Sequence, residues 1–461
     1  MTLLAINWGS VGLQVAQLLL SLSILVILHE FGHYITAKWF KCRVEKFYLF
    51  FDPWFSLVKK KVGETTYGIG WLPLGGYVKI SGMVDESMDK EQLKLPPEPW
   101  EFRSKPAWQR LIIMLGGVTV NILLAFVIYA MILFVWGQDK TPNSSVKNGI
   151  WVTDSLMYQV GFRNGDKVVA VGDEPVQYFE EISKKILFSN GKTITVEREG
   201  KKVSIDLPVS LIGQFVEKKK TKAPLFTIRR PAIIGEFEKG DSSNAKKAGL
   251  QYWDKIIKVD STHVNFMDDM AIYIDNKKNK QVTLTVDRKG TLVTLTALVN
   301  ENGKIGPAAL TPEQYDSLGV FKIEHKSYGF FESFPAGVGL AVTSLSDYIE
   351  QFKLIFKPST GAYKGVGGFK AMGGVFASDG WDWESFWRIT AFFSIALAFM
   401  NLLPIPALDG GHVLFTLIEM ITGRKPNEKF LEYAQIVGMV LLLSLMLYAN
   451  GNDWFGWGRN K

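Results

Sequence analysis

The chain has 461 residues, 47% of them hydrophobic and 21% charged, with a formal net charge of +7. That length exceeds one compact core, and a positive mean hydropathy beside so much charge predicts a very apolar part and a soluble part. The single cysteine, Cys42, excludes an internal disulfide and a thiolate-rich structural zinc site.

Four uncharged runs mark the apolar part: residues 11–28, 111–136, 389–408 and 433–450. Each is near the ~20 residues a helix needs to cross ~30 Å of hydrocarbon. The expected architecture is a polytopic α-helical membrane protein with four transmembrane helices, divided by polar stretches of very unequal size. The first run is expected to persist as a span. No basic stretch precedes it and no small-residue cleavage site follows it, as a signal peptide would require. Lys38, Lys41, Arg43, Lys46, Lys59, Lys60 and Lys61 follow span one, and Arg103, Lys105 and Arg110 precede span two. Arg424, Lys425 and Lys429 separate spans three and four. Positive charge in short loops predicts that these face the cytoplasm, with both termini and the long segment 137–388 outside. This bias accounts for the basic balance without a nucleic-acid partner.

In chain order, span one (1–40) leads into a cytoplasmic or membrane-reentrant β-rich loop (41–106). Its residues 44–82 alternate β-prone aromatics with glycine, predicting hairpins or a loop dipping into the bilayer. Residues 84–106 read as an acidic, proline-containing connector, and span two covers 107–137. The outer segment then repeats itself. Gly161-Phe-Arg-Asn-Gly-Asp-Lys-Val-Val-Ala-Val matches Gly249-Leu-Gln-Tyr-Trp-Asp-Lys-Ile-Ile-Lys-Val at an offset of 88 residues. A helical stretch and alternating strands follow each copy, so the period is one small domain. The pattern resembles PDZ domains, which bind extended peptides by adding a strand to a sheet edge. Two tandem PDZ-like α+β domains are therefore expected between spans two and three, at 138–222 and 223–308. Such a pair would bind a peptide or another ligand outside the membrane, or act as a size filter; two generic β-rich domains are the alternative. Trp253 stands where glycine is usual, which leaves the shape of that turn open. Residues 309–384 combine a helix with recurring apolar positions over 327–357 and a Gly-rich stretch at 365–374. The helix would suit a membrane surface or pack on the second PDZ-like domain, and the glycines read as a hinge or close-packing element. Span three (385–423) and span four with the tail (424–461) complete the chain.

The chemistry sits at the end of span one. His29-Glu30-Phe31-Gly32-His33 places two imidazoles one helical turn apart on one face, where both reach a single metal. Zinc suits such a pair and needs one further protein ligand. Glu30, rotated around the helix, is placed to take a proton from zinc-activated water. Ionisable groups at the end of an uncharged run cost roughly 2.5–3.5 kcal/mol each at mid-bilayer, so they call for partners. The third ligand is sought in Asn401-Leu-Leu-Pro-Ile-Pro-Ala-Leu-Asp-Gly-Gly-His, where two prolines break an apolar run. Spans one and three both enter from outside, so Asp409 lies toward the same side as His33. His412, three residues on, is the alternative.

Together these motifs closely resemble the site-2 proteases, in particular bacterial members of the RseP type. The likeness extends to Pro73-Leu-Gly-Gly-Tyr-Val-Lys-Ile, to Phe102-Arg-Ser-Lys-Pro-Ala-Trp-Gln-Arg and to the paired PDZ-like domains. It implies that His29, His33 and Asp409 hold zinc and that Glu30 is the base. It further implies that Asn401 holds the substrate backbone and that the Gly75-Gly76 loop pairs with an unwound substrate. The implied substrates are single-span proteins of a bacterial inner membrane, such as anti-sigma factors, or leftover signal peptides. Relatives often carry a proline-containing version of the second-span segment that here runs from Gly116 to Asn121, and no role is carried over to Asn121. A membrane-anchored PDZ adaptor or a metal transporter are the rival readings.

Overall fold

The computed structural model describes residues 8–83, 96–189, 191–218, 224–237, 240–306, 309–425 and 427–457. Residues 84–95 of the expected connector, and residues 1–7 and 458–461 of the expected end segments, lie outside the described residues. The chain divides into two compact units. One comprises Met1–Gly137, Ser327–Phe356 and Tyr363–Lys461, the other Gln138–Lys326 and Lys357–Ala362.

In the first unit, four of the described helices are long and apolar enough to cross a membrane. Its main helices are α1 (Trp8–Trp39), α2 (Ala107–Trp136), α3 (Phe330–Ile355), α4 (Trp383–Leu402), α5 (Asp409–Thr422) and α6 (Glu428–Phe455). Helices close all their backbone hydrogen bonds internally, which hydrocarbon demands. Of the six, α3 and α5 fall outside the membrane-crossing set. The apolar run 389–408 is not one helix. Asp382 caps α4 by accepting from the amides of Glu384 and Ser385. The helix then stops at Leu402, because Pro404 and Pro406 can neither donate to nor fit an α-helix, and α5 resumes at Asp409.

Helix α2 packs against α1, α3, α4 and α5. The backbones of α1 and α2 touch at Gly32 and Gly116, where a Cβ on either would lie 2.3 Å or 2.5 Å from the other's carbonyl oxygen. Small residues at a membrane crossing permit this approach. Helix α3 runs along α2 and α4 within this unit, and not on the second repeated domain. Its small residues Ser333, Gly337 and Ala341 are buried, and a Cβ at Gly337 would lie 2.5 Å from the Ala130 nitrogen. Tyr348 meets the rings of Phe392 and Phe399. The stretch expected as a single module, 309–384, is therefore shared between the two units. Periodicity gave α3 an apolar face without naming its partner. The Gly-rich stretch is a close-packing element. Asp453 accepts from the amides of Gly368 and Ala371, and Asn452 donates to the carbonyls of Lys364 and Val366.

After α1 come β1 (Val44–Val62) and β2 (Thr65–Ile80), one long antiparallel pair. Bulges let residues 46–49 pair both with 66–69 and with 76–79, so a two-strand segment folds into a wider sheet. Trp54, Phe55 and Trp71 stack at its tip.

The second unit opens and closes on a strand pair, β3 (Gln138–Lys140) with β14 (Glu324–Lys326). Between them the repeat folds twice. Strands β5 (Lys167–Val171), β6 (Glu174–Pro175), β7 (Thr193–Arg198) and β8 (Lys201–Asp206) form one antiparallel sheet ordered β6-β5-β7-β8. Strands β10 (Lys255–Val259), β11 (Thr262–His263), β12 (Gln281–Arg288) and β13 (Thr291–Leu298) form another, ordered β11-β10-β12-β13. The aspartate of each repeated motif is structural. Asp166 is buried and binds Arg198, which also donates to the Gly161 carbonyl, and Asp254 does the same with Arg288 and Gly249. Trp253 keeps the turn of its counterpart, with φ +70° against +92° at Gly165, so the open question is settled at a cost of order 1–3 kcal/mol in backbone strain.

One expected boundary moves. Residues 226–228, placed by sequence in the second domain, form β9 and pair with β4 (Ile150–Val152) of the first. Phe226 lies in the first domain's core. The next residue, Arg229, binds Asp268 and Asp269 at the start of the helix Met267–Asp275, and Asn164 of the first domain donates to Asp268. Burial pushes the Asp268 carboxyl above its usual range, and the Arg229 guanidinium opposes the shift.

Candidate metal centre

Helix α1 brings His29 and His33 onto one face, and both are buried. Asp409 reaches them from the first turn of α5. The chain places it there by folding the loop 403–408 back on that turn. Gly410 and Gly411 are required, since a Cβ at either would lie 2.1 Å or 2.7 Å from the carbonyl oxygens of Leu403 and Ile405. Ala407 takes a left-handed φ of +78° in the same loop, and Gly438 of α6 lets the Pro406 carbonyl approach from behind.

The three polar atoms form an equilateral triangle. His29 Nε2 and His33 Nε2 each lie 3.3 Å from Asp409 Oδ2, and 3.3 Å from each other. Donors bound tetrahedrally to zinc at about 2.0–2.1 Å stand roughly 3.3–3.4 Å apart. Asp409 Oδ2 is buried and makes no hydrogen bond, a costly state for a carboxylate oxygen unless a cation faces it. His33 Nδ1 donates to the Ile113 carbonyl at 2.9 Å, leaving Nε2 with a free lone pair directed at the triangle. The floor is Gly117 of α2, where a Cβ would sit 2.5 Å from His33 Nε2 and 2.6 Å from His29 Cε1. Spacing, donor set and unpaired oxygen all fit zinc.

Glu30 follows His29 on α1, turned off the face that carries the ligating nitrogens. Asn401 Nδ2 stands 3.2 Å from His29 Nε2. The Gly75-Gly76 segment runs past Glu30, for a Cβ at Gly76 would lie 2.7 Å from Val26 Cγ1 and 3.5 Å from Glu30 Cγ. His412, the alternative ligand, is absent from the cluster and lines a small cavity with Pro406, Phe415, Leu431 and Gln435. His263 and His325 belong to the second unit. Sequence reasoning left out Gly117 and Gly438 and gave Asn121 no role. The only signal for Gly117 was an adjacent glycine pair in an otherwise bulky apolar span.

A family model, that of peptidase family M50, matches residues 17–445. The chain belongs to peptidase family M50. It is a site-2-type zinc metalloprotease, its cofactor is Zn2+, and its spans make it a multi-pass membrane protein. It is 28% identical over 461 residues to the regulator of sigma-E protease RseP of Escherichia coli, a match covering 95% of this chain and 98% of that one. It is 26% identical to protease RseP of Yersinia pestis, with the same coverage. It is also 26% identical to a Treponema pallidum protein provisionally named a zinc metalloprotease, covering 94% and 96% of the two chains.

Proposed function

We propose that this protease hydrolyses peptide bonds inside the bilayer, within the transmembrane segments of single-span proteins, at a zinc held by His29, His33 and Asp409. The observation that carries this reading is the 3.3 Å triangle joining the first apolar helix to the residue that follows the break after the third. When bound, zinc acts as a Lewis acid that polarises a carbonyl and makes water a competent nucleophile near neutral pH. Glu30 is placed to accept a proton from the attacking water and to return it to the leaving amine. The Asn401 amide holds the substrate backbone beside His29.

A helical substrate hides its carbonyls in hydrogen bonds, so it unwinds before attack. The Gly75-Gly76 stretch of β2 offers a strand to which the freed backbone pairs. The twofold sheet pattern of the second unit supports two PDZ-like domains, the first running through Ile228, that admit short outer stubs or bind them. The basic loops support an orientation in a bacterial inner membrane with the catalytic end of α1 toward the cytoplasm and the repeated domains outside. Anti-sigma factors and residual signal peptides are the substrate classes that fit.

The test is a labelled single-span protein reconstituted with the protease in lipid nanodiscs, its products mapped by mass spectrometry. We expect a cut inside the apolar segment that a zinc chelator stops and added zinc restores. Cleavage confined to the water-exposed flanks would overturn the intramembrane reading.

A further inference from the structure

Asn121 sits in the middle of α2 with no exposed surface, at membrane depth, where an amide is expensive to bury unless its polar atoms are matched. Its side chain reaches His29. Asn121 Nδ2 lies 3.1 Å from His29 Nδ1, the ring nitrogen pointing away from the triangle, while Asn121 Oδ1 is buried and has no partner. His29 Nε2 is the atom that faces His33 and Asp409. A histidine that ligates through Nε2 carries its proton on Nδ1 and needs an acceptor there. The oxygen and nitrogen of a carboxamide are nearly the same in size, and which is which is assigned from the partners they find. A half-turn of the amide places Oδ1 against His29 Nδ1–H and pairs that donor with an acceptor.

We infer that Asn121 is the positioning residue for His29: its Oδ1 accepts from Nδ1–H, fixes the tautomer, and aims Nε2 at the metal. The inference rests on the zinc reading proposed above. His33 has the equivalent support from the Ile113 carbonyl, also on α2, so one helix orients both imidazoles. Asn121 is itself held, since its backbone carbonyl accepts from Ser394 Oγ at 2.7 Å. Ser394 lies on α4, the helix that leads to the Asp409 loop. The contact thus ties His29, on α1, to the helix that delivers the third ligand.

The test is zinc transfer from the purified full-length protein to a chromophoric chelator, for wild type, Asn121→Leu and Asn121→Asp. Leucine keeps the branched outline, though bulkier, and removes the acceptor, and we expect zinc affinity to fall about 10- to 100-fold, the usual effect of losing an outer-shell partner. Aspartate keeps the shape and offers only acceptors, so it should hold zinc at least as tightly as wild type. That rescue separates an acceptor role from packing or from an amide that donates. Wild-type retention in the leucine variant would overturn the inference, as would a loss with aspartate as large as with leucine. Wild-type protein without zinc would instead sink the metal reading itself.

Discussion

Replacing Glu30 with glutamine should lower cleavage of a single-span substrate by about 10²–10⁴-fold, the usual contribution of a positioned general base, while leaving the zinc in place. The reasoning is geometric. Glu30 follows His29 directly, so the helix rotates it off the face that carries the ligating nitrogens. It still lies close enough to His29, His33 and Asp409 for their charges to act on it. Glutamine keeps the side chain's length and one oxygen. What is lost is the capacity to accept a proton from water. Kinetics and zinc content measured on one preparation check both halves. A variant that cleaves at the wild-type rate would remove Glu30 from the chemistry, and one that has lost its zinc would make it a structural element of the site.

The second large effect is expected at Gly117. A methyl group there would lie 2.5 Å from His33 Nε2 and 2.6–2.7 Å from the His29 ring, a separation non-bonded atoms do not adopt. The rings cannot retreat without breaking the 3.3 Å triangle, because Ile113 and Asn121 hold their outer nitrogens. Gly117→Ala should therefore weaken zinc binding by more than about 100-fold, beyond the loss of one outer-shell contact, and abolish cleavage. Gly12→Ala is the control. It lies on α1 with open space around it and should change neither property. Zinc titration of both purified variants decides the matter, and an alanine at 117 with wild-type affinity would refute the steric argument.

Much of the site could be read before any coordinates because its signals are local. The four-residue spacing of His29 and His33 is a statement about one helix. Two prolines before Asp409 announce a broken span with a carboxylate at the break. The 88-residue repeat announced two domains of one kind, and two sheets of identical strand order are found. What stayed hidden was tertiary. Nothing near Gly117 or Asn121 in the sequence says that α2 passes beneath two imidazoles some 80–90 residues earlier in the chain. The partner of α3 was equally hidden, since a face of aromatic and small residues suits a bilayer surface, a soluble domain or a neighbouring helix. Strand β9 was assigned to the wrong domain because three β-prone residues carry no mark of the edge they join. Trp253 shows the reverse limit, for the repeat imposes a left-handed turn although the residue there disfavours it.

X-ray absorption at the zinc edge of the purified full-length protein asks most directly whether the first span and the helix that follows the third share a metal. We expect a single zinc per chain with two imidazole nitrogens and a carboxylate oxygen at about 2.0–2.2 Å, the oxygen disappearing in Asp409→Ala. Zinc far below one per chain, a sulfur neighbour at about 2.3 Å, or a shell unchanged by loss of Asp409 would contradict it.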